Sequence, residues 1–266
     1  MIGGNTTSLG KASTKASSSV ESAAKGWIKD FVEVGVTVLV LIVVLRAAFG
    51  SETLVPLVVV TSGSMLHLDG GWSSWLSENW GDSSLVSSVP FQSGFAKGDM
   101  IFTVSPDKYH VFPDTRLGDV IIYDRDLGHL QKYASNEPII HRIIGVLWVE
   151  DGKVVKVDGT TACLNEKNFE RYIGFVDDCQ RGLDSCLYPR YPEGGSYRFY
   201  VTKGDNNPSP DQCGVNGGIA YPVNEKQLKA RGWIRLPYVG WIKLLFNYVL
   251  LFIFWFFRSV FSLLPL

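Results

Sequence analysis

Two apolar runs at opposite ends of the chain, with a polar stretch between them, limit what it can fold into more than any other feature. From Phe31 to Phe49 every residue is apolar or small except Glu33, Thr37 and Arg46. A helix of about 20 such residues is roughly 30 Å long, one hydrocarbon thickness. Glu33 and Arg46 then fall near the interfaces, where the arginine can snorkel. The second run, Tyr238–Leu266, has a core at Leu244–Phe257 dense in Phe, Leu and Ile. Lys243 and Arg258 flank that core, and Tyr238, Trp241 and Tyr248 are placed as interfacial aromatics. Apolar residues make up 46% of the chain and charged ones 19%, a high apolar share for a soluble protein. The pattern predicts spans at 29–50 and 238–265 around an extracytoplasmic domain at 51–236.

Residues 1–28 are rich in Ser, Thr, Gly, Ala and Lys without apolar periodicity, which predicts a disordered cytoplasmic tail. The apolar run continues into Leu54–Val60 with no A-x-A exit, so a retained anchor is expected rather than a cleaved leader. Lys11, Lys15, Lys25 and Lys29 favour a cytoplasmic N-terminus. Lys226, Lys229, Arg231, Arg235 and Lys243 pull the other way, and on the outer face they would rest on anionic head groups. A net charge of −1 lacks the basic footprint of a nucleic-acid binder.

The middle reads as mainly β. Short apolar runs recur at Met100–Val104, Val120–Tyr123, Ile139–Val149, Lys153–Val157, Tyr197–Val201 and Trp233–Leu236, punctuated by Gly, Pro, Asp and Asn. No helical period is expected over fifteen residues, and Gln227–Arg231 reads as one helical turn. Another apolar stretch, Val55–Val60, delivers Ser64 onto the turn Ser62-Gly63-Ser64-Met65 just beyond the first span. A serine nucleophile there would meet chains emerging from a membrane.

A nucleophile needs a base and an orienting acid. His141 interrupts the apolar run Ile139–Val146, and alternation puts it on the face of Ile139 and Ile143, with Arg142 opposite. A half-buried imidazole on a strand suits a general base, its alternative being a core histidine bonded to backbone. His67, His110 and His129 read as surface residues. The loop Thr202–Asp211, dense in Gly, Asp, Asn and Pro, offers Asp205 and Asp211 as acids.

Together these segments resemble the type I signal peptidases, in their archaeal and endoplasmic-reticulum branch. The resemblance rests on S-G-S-M at 62–65, G-D-V-I-I-Y at 118–123, H-R-I-I at 141–144 and K-G-D-N-N at 203–207 with Asp211. The stretch R-G-W-I-R-L-P-Y-V-G at 231–240, just before the second span, also fits. It implies a β catalytic domain anchored by transmembrane helices, and a serine endopeptidase that cuts signal peptides from exported preproteins after small residues. By motif, Ser64 is the nucleophile, His141 the general base in place of the lysine of the bacterial branch, and Asp211 the orienting acid. Asp205 is a supporting or alternative acid, and the Ser62 hydroxyl with the Ser64 N–H forms the oxyanion hole. Expected partners are preproteins, the bilayer and the translocation machinery, in an archaeal cell membrane or an endoplasmic-reticulum membrane.

The chain departs from the family in carrying Leu66-His67 where a proline commonly follows S-G-S-M-x. It also carries insertions at about 68–97, with Trp72, Trp75 and Trp80, and at about 151–195. The first reads as a surface loop or a membrane-dipping lid. Cys163, Cys179, Cys186 and Cys213 allow three pairings into two disulfides. Their spacing fits no zinc pattern, and no cofactor is implied. Two other readings are a Ser–Lys peptidase with Lys132 or Lys108 as base, and a non-enzymatic tethered subunit that binds partners.

Overall fold

The computed structural model describes residues 8–49, 56–106, 114–130, 137–213 and 218–261. The chain forms two compact units, divided between Ala48 and Phe49. The first is the helix α1 (Ser8–Phe49). Within it, Gly26–Phe49 is long and apolar enough to cross a membrane, by length and composition, and its apolar window has no buried residue. The helix starts at Ser8, where a disordered tail was expected through residue 28. No proline interrupts Ser8–Phe49, and a nucleated helix propagates cheaply through Ala, Ser and Lys.

The second unit contains β1 (Leu57–Val59), α2 (Gly71–Trp80), α3 (Ser83–Ser88), β2 (Met100–Val104), β3 (Val120–Tyr123) and the short α4 (Leu127–Leu130). They are followed by β4 (Ile139–Glu150), β5 (Lys153–Gly159), α5 (Glu166–Gln180), β6 (Ser196–Lys203), β7 (Val223–Asn224), β8 (Leu228–Leu236) and α6 (Gly240–Phe261). All eight strands join one antiparallel sheet in the order β1-β2-β8-β3-β4-β6-β7, with β5 also on β4. The architecture is therefore mainly β with some helices, as the strand-and-turn punctuation implied.

β4 is the hub. Along one side it pairs first with β3, placing Ile121 opposite His141, and then with β5 from Gly145 onward. Along the other side β6 joins only from Arg142, opposite Lys203. The register slips between Ile143 and Gly145. Gly145 is required there, because a Cβ would stand 2.1 Å from the Thr160 carbonyl oxygen.

Two of the three apolar clusters among the described residues bear on the insertions and on β4. One gathers Ile121, Tyr123, Ile139, Ile143, Tyr200, Val223 and Leu228. The other gathers Ile144, Leu147, Phe199 and Val201 with side chains from α2, α3 and α5.

Both insertions supply that second core, and neither is a plain loop. Trp72 is 9% exposed, and Trp75 and Trp80 pack against the same cluster. The Trp80 indole N–H donates to the Ile144 carbonyl at 2.9 Å. These indoles pack toward the core, which is what a membrane-dipping lid would not require of them. In the second insertion, α5 buries Phe169, Tyr172, Ile173 and Val176, which recur at helical spacing. Asn165 starts it with a reciprocal capping box to Asn168. The turn of helix expected at Gln227–Arg231 is instead a 3-10 turn at Glu225–Gln227 followed by β8, since Leu228, Ala230 and Arg231 enter the ladder.

Candidate active site

Ser64 leaves β1 on a turn closed by the Leu66 N–H on the Gly63 carbonyl at 3.1 Å. Met65 is fully buried, and its carbonyl accepts from Phe95 N–H at 2.8 Å, so the turn is fixed from behind. Ser64 itself is half-buried and lines an open cleft of about 570 Å³. The same cleft is lined by Ser62, Leu57–Val59, Ile139, Ile140, His141 and Asn207. The Ser64 and Ser62 hydroxyl oxygens are 3.3 Å apart.

His141 is 4% exposed on β4 and Asp211 is 2% exposed. Nδ1 of His141 donates to Oδ2 of Asp211 at 2.6 Å. That same carboxylate oxygen accepts from the Tyr123 phenol at 2.8 Å and from the Thr202 hydroxyl at 2.7 Å. Burial, then the neighbouring Asp211 charge, pushes the Tyr123 phenol well above its ordinary pKa, so it keeps its proton and donates. With Nδ1–H committed to Asp211, Nε2 is left as the basic nitrogen. Gly204 locates that nitrogen. A Cβ built there would lie 2.8 Å from His141 Nε2 and equally 2.8 Å from the Ser64 carbonyl oxygen. Nε2 therefore lies near the backbone of the serine turn, with room for a glycine alone at position 204.

Asp211 is positioned by the backbone around it. Its N–H donates to the Thr202 carbonyl at 2.8 Å, and its own carbonyl accepts from Ile219 N–H at 2.7 Å. Gln212 bonds back to the Thr202 N–H at 2.9 Å. A disulfide joins Cys163 to Cys213, two residues past Asp211, and a second joins Cys179 to Cys186.

Asp205 has a different set of partners. Arg142, buried opposite Lys203, reaches its two carboxylate oxygens with Nε at 2.9 Å and Nη2 at 2.7 Å. The arginine's remaining Nη1 donates to the carbonyls of Pro90 and Gly118, which gives the Gly118-Asp119 turn its structural role. Burial raises the Asp205 pKa, but hydrogen bonds from His67 and Arg142 outweigh it and hold the carboxyl below the usual carboxylate range. Of the two candidate acids, only Asp211 touches His141 among the described residues. The loop also grips the serine turn: Asn206 N–H donates to the Ser64 carbonyl at 2.8 Å, and its side-chain amide to the Gly63 carbonyl at 3.1 Å.

Two residues near this site receive no role from the sequence. His67, expected at the surface, is wedged beneath the serine turn with Nε2 2.7 Å from Asp205. Its signal is the departure from proline at this position. Lys203 is buried with Nζ on the carbonyls of Gly204 and Asp205. Burial lowers its pKa, against the opposing charges of Asp205 and Asp211. His129, likewise expected at the surface, is 4% exposed and paired with Asp126, because α4 folds it beneath Tyr221. His110, Lys108 and Lys132 lie outside the described residues. Among the described residues no group of three His, Cys, Asp or Glu converges as a metal site would.

Among the described residues Ser64 and His141 share a cleft without a hydrogen bond between them, and a buried carboxylate holds the imidazole. Comparison with protein-family models finds none that matches this chain, and a search of curated proteins finds no matching relative.

Proposed function

We propose that this chain is a membrane-bound serine endopeptidase that removes signal peptides from exported preproteins, of the His-based signal peptidase type. The observation that carries the reading is the shared cleft. Ser64 and His141 both line it, and the Nδ1–H of His141 is committed to the buried Asp211 at 2.6 Å. In the reaction, His141 Nε2 takes the Ser64 proton as Oγ attacks the scissile carbonyl carbon. Collapse of the tetrahedral adduct, with that proton passed to the leaving amine, releases the mature chain and leaves an acyl-enzyme. Water, deprotonated by His141, then frees the signal peptide. The Ser62 hydroxyl, 3.3 Å from Ser64 Oγ, and the Ser64 N–H are the donors available to the oxyanion.

Two strand edges meet at this cleft. β1 ends the sheet order, and the segment Ile139–His141 of β4 is paired with β3 alone because β6 joins only at Arg142. Both line the cleft. An extended peptide can add backbone hydrogen bonds to such edges, which would lay a signal-peptide cleavage region across Ser64.

The setting follows from the ends of the chain. Gly26–Phe49 is the membrane anchor in this reading, and α6, 22 residues long or about 33 Å at the helical rise, is the second span. Two disulfides support placing the catalytic unit on an oxidising, extracytoplasmic or lumenal face. Preproteins and the bilayer are then its partners, with delivery by the translocation machinery.

The test is cleavage of a signal-peptide-bearing preprotein by the full chain in liposomes, with the new N-terminus read by mass spectrometry. A single cut following a small residue is expected. An intact preprotein, under conditions where the chain is folded, would reject the reading.

A further inference from the structure

His67 follows the serine turn by three positions, and both of its ring nitrogens face oxygen. Nδ1 is 3.0 Å from the backbone carbonyl of Gln92, and Nε2 is 2.7 Å from Oδ2 of Asp205. A carbonyl oxygen only accepts, and so does an ionised carboxylate. The Arg142 fork on both Asp205 oxygens holds that carboxyl ionised. Both hydrogen bonds can therefore be satisfied together only by the imidazolium, with two N–H groups. A neutral ring would turn a lone pair toward one of the two oxygens.

The ring is enclosed on every side. It stacks on Trp72 of α2 at 4.1 Å and 14°, and the Arg142 guanidinium lies 5.3 Å from the same indole. Gly94, at φ +62°, is pressed against it: a Cβ there would stand 2.8 Å from His67 Cγ and Cδ2. The charged groups around the ring are thus Asp205 from the acid loop, Arg142 from β4 and Arg235 from β8, whose Nη1 donates to the Gly94 carbonyl at 3.0 Å. Lys203 stands on the other side of that loop, on the Asp205 carbonyl.

What Asp205 holds is the floor of the catalytic site. Its neighbour Gly204 fills the gap between His141 Nε2 and the Ser64 carbonyl, and its other neighbour, Asn206, bonds the serine turn directly. We infer that His67 is a positioning residue: in its protonated form it ties the acid loop, through Asp205, to the Phe91–Phe95 turn, and loss of that proton loosens the loop. Turnover then depends on that proton. The turnover half of this inference rests on the peptidase reading; the latch itself does not.

The experiment uses the full chain in detergent micelles, wild type and His67→Gln, with two readouts. Gln can donate to Asp205 but cannot titrate. Amide hydrogen exchange at 91–97 and 204–207, corrected for intrinsic rates, is expected to rise toward alkaline pH in the wild type and to stay flat in H67Q. Preprotein cleavage is expected to show an alkaline fall in the wild type that is absent from H67Q, whose plateau lies about tenfold lower. Matching pH profiles for the two proteins in both readouts would overturn the inference. If H67Q does not fold, ¹⁵N NMR of the wild-type His67 ring decides: two protonated nitrogens at neutral pH are expected, and a single neutral tautomer would refute the latch. Absent cleavage with the expected exchange and ring signals would reject the peptidase reading while leaving the latch in place.

Discussion

His141 and Asp211 share one buried hydrogen bond of 2.6 Å, between Nδ1 and Oδ2, although 70 residues separate them in sequence. Tyr123 and Thr202 converge on the same oxygen. The carboxylate is therefore oriented by two neutral donors independently of the imidazole, and the imidazole's tautomer follows from it. Asp211→Asn should reduce turnover by about 10⁴, the size of effect expected when the wrong tautomer is presented. Tyr123→Phe and Thr202→Val each remove one supporting bond of roughly 1 kcal/mol, about five- to tenfold in rate. Cleavage kinetics with each variant check this order; equal losses from all three would contradict it.

Gly204 is a tight point of the site. Gly204→Ala places a methyl group 2.8 Å from His141 Nε2 and 2.7 Å from the Asn207 amide nitrogen, closer than real side chains approach. The variant should lose at least 10² in cleavage with only a modest drop in melting temperature. An active Ala variant would mean that His141 need not reach Ser64 through this gap.

Asp205 and Arg142 form a buried ion pair, and removal of one member strands the other. Asp205→Ala should cost about 3–5 kcal/mol of stability, read from denaturant midpoints in detergent. Because the folded carboxyl sits below its ordinary pKa, its contribution is complete above the usual carboxylate range. It is lost as pH falls through the depressed folded value. The stability difference between wild type and Asp205→Asn should accordingly shrink on acidification, and a difference that grows would contradict this.

The bridge between Cys163 and Cys213 closes a loop of 50 positions around the acid strand. Replacing both cysteines with serine should lower stability by about 2–5 kcal/mol and reduce cleavage. The Cys179–Cys186 bridge closes only 7 positions beside α5, so its loss should matter less to cleavage. Paired melting and activity measurements distinguish the two.

Much of this arrangement is legible in the chain. Short apolar runs and turn residues place β2, β3, β4, β5 and β6 close to where they form, because β3, β4 and β6 are largely buried and Gly, Pro, Asp or Asn bound the runs. His141 stands out as a polar residue inside an apolar run, and the loop that carries both carboxylates is marked by its composition. The choice of Asp211 over Asp205 rests on the motif resemblance alone, since its physical basis is which carboxyl the β4–β6 pairing turns toward His141 and which toward Arg142. α5 was within reach: Asn165 and the spacing of Phe169, Tyr172, Ile173 and Val176 are helix signals, partly obscured by Gly174 and Phe175. The Trp-rich helices were not legible because tryptophan serves membrane interfaces and cores alike, and only tertiary packing separates the two. For the same reason His67 looked like surface: its partners Gln92 and Asp205 come from distant segments.

The central claim is that Ser64, His141 and Asp211 act as one catalytic unit, and a three-variant comparison tests it most directly. Single-turnover cleavage of a preprotein is measured for Ser64→Ala, His141→Ala and the double variant, each at matched fold and detergent. The account expects all three to fall to the same low rate, at least 10⁴ below wild type, because removing either member disables the unit. Cleavage by Ser64→Ala near the wild-type rate, or single losses that multiply in the double variant, would contradict it.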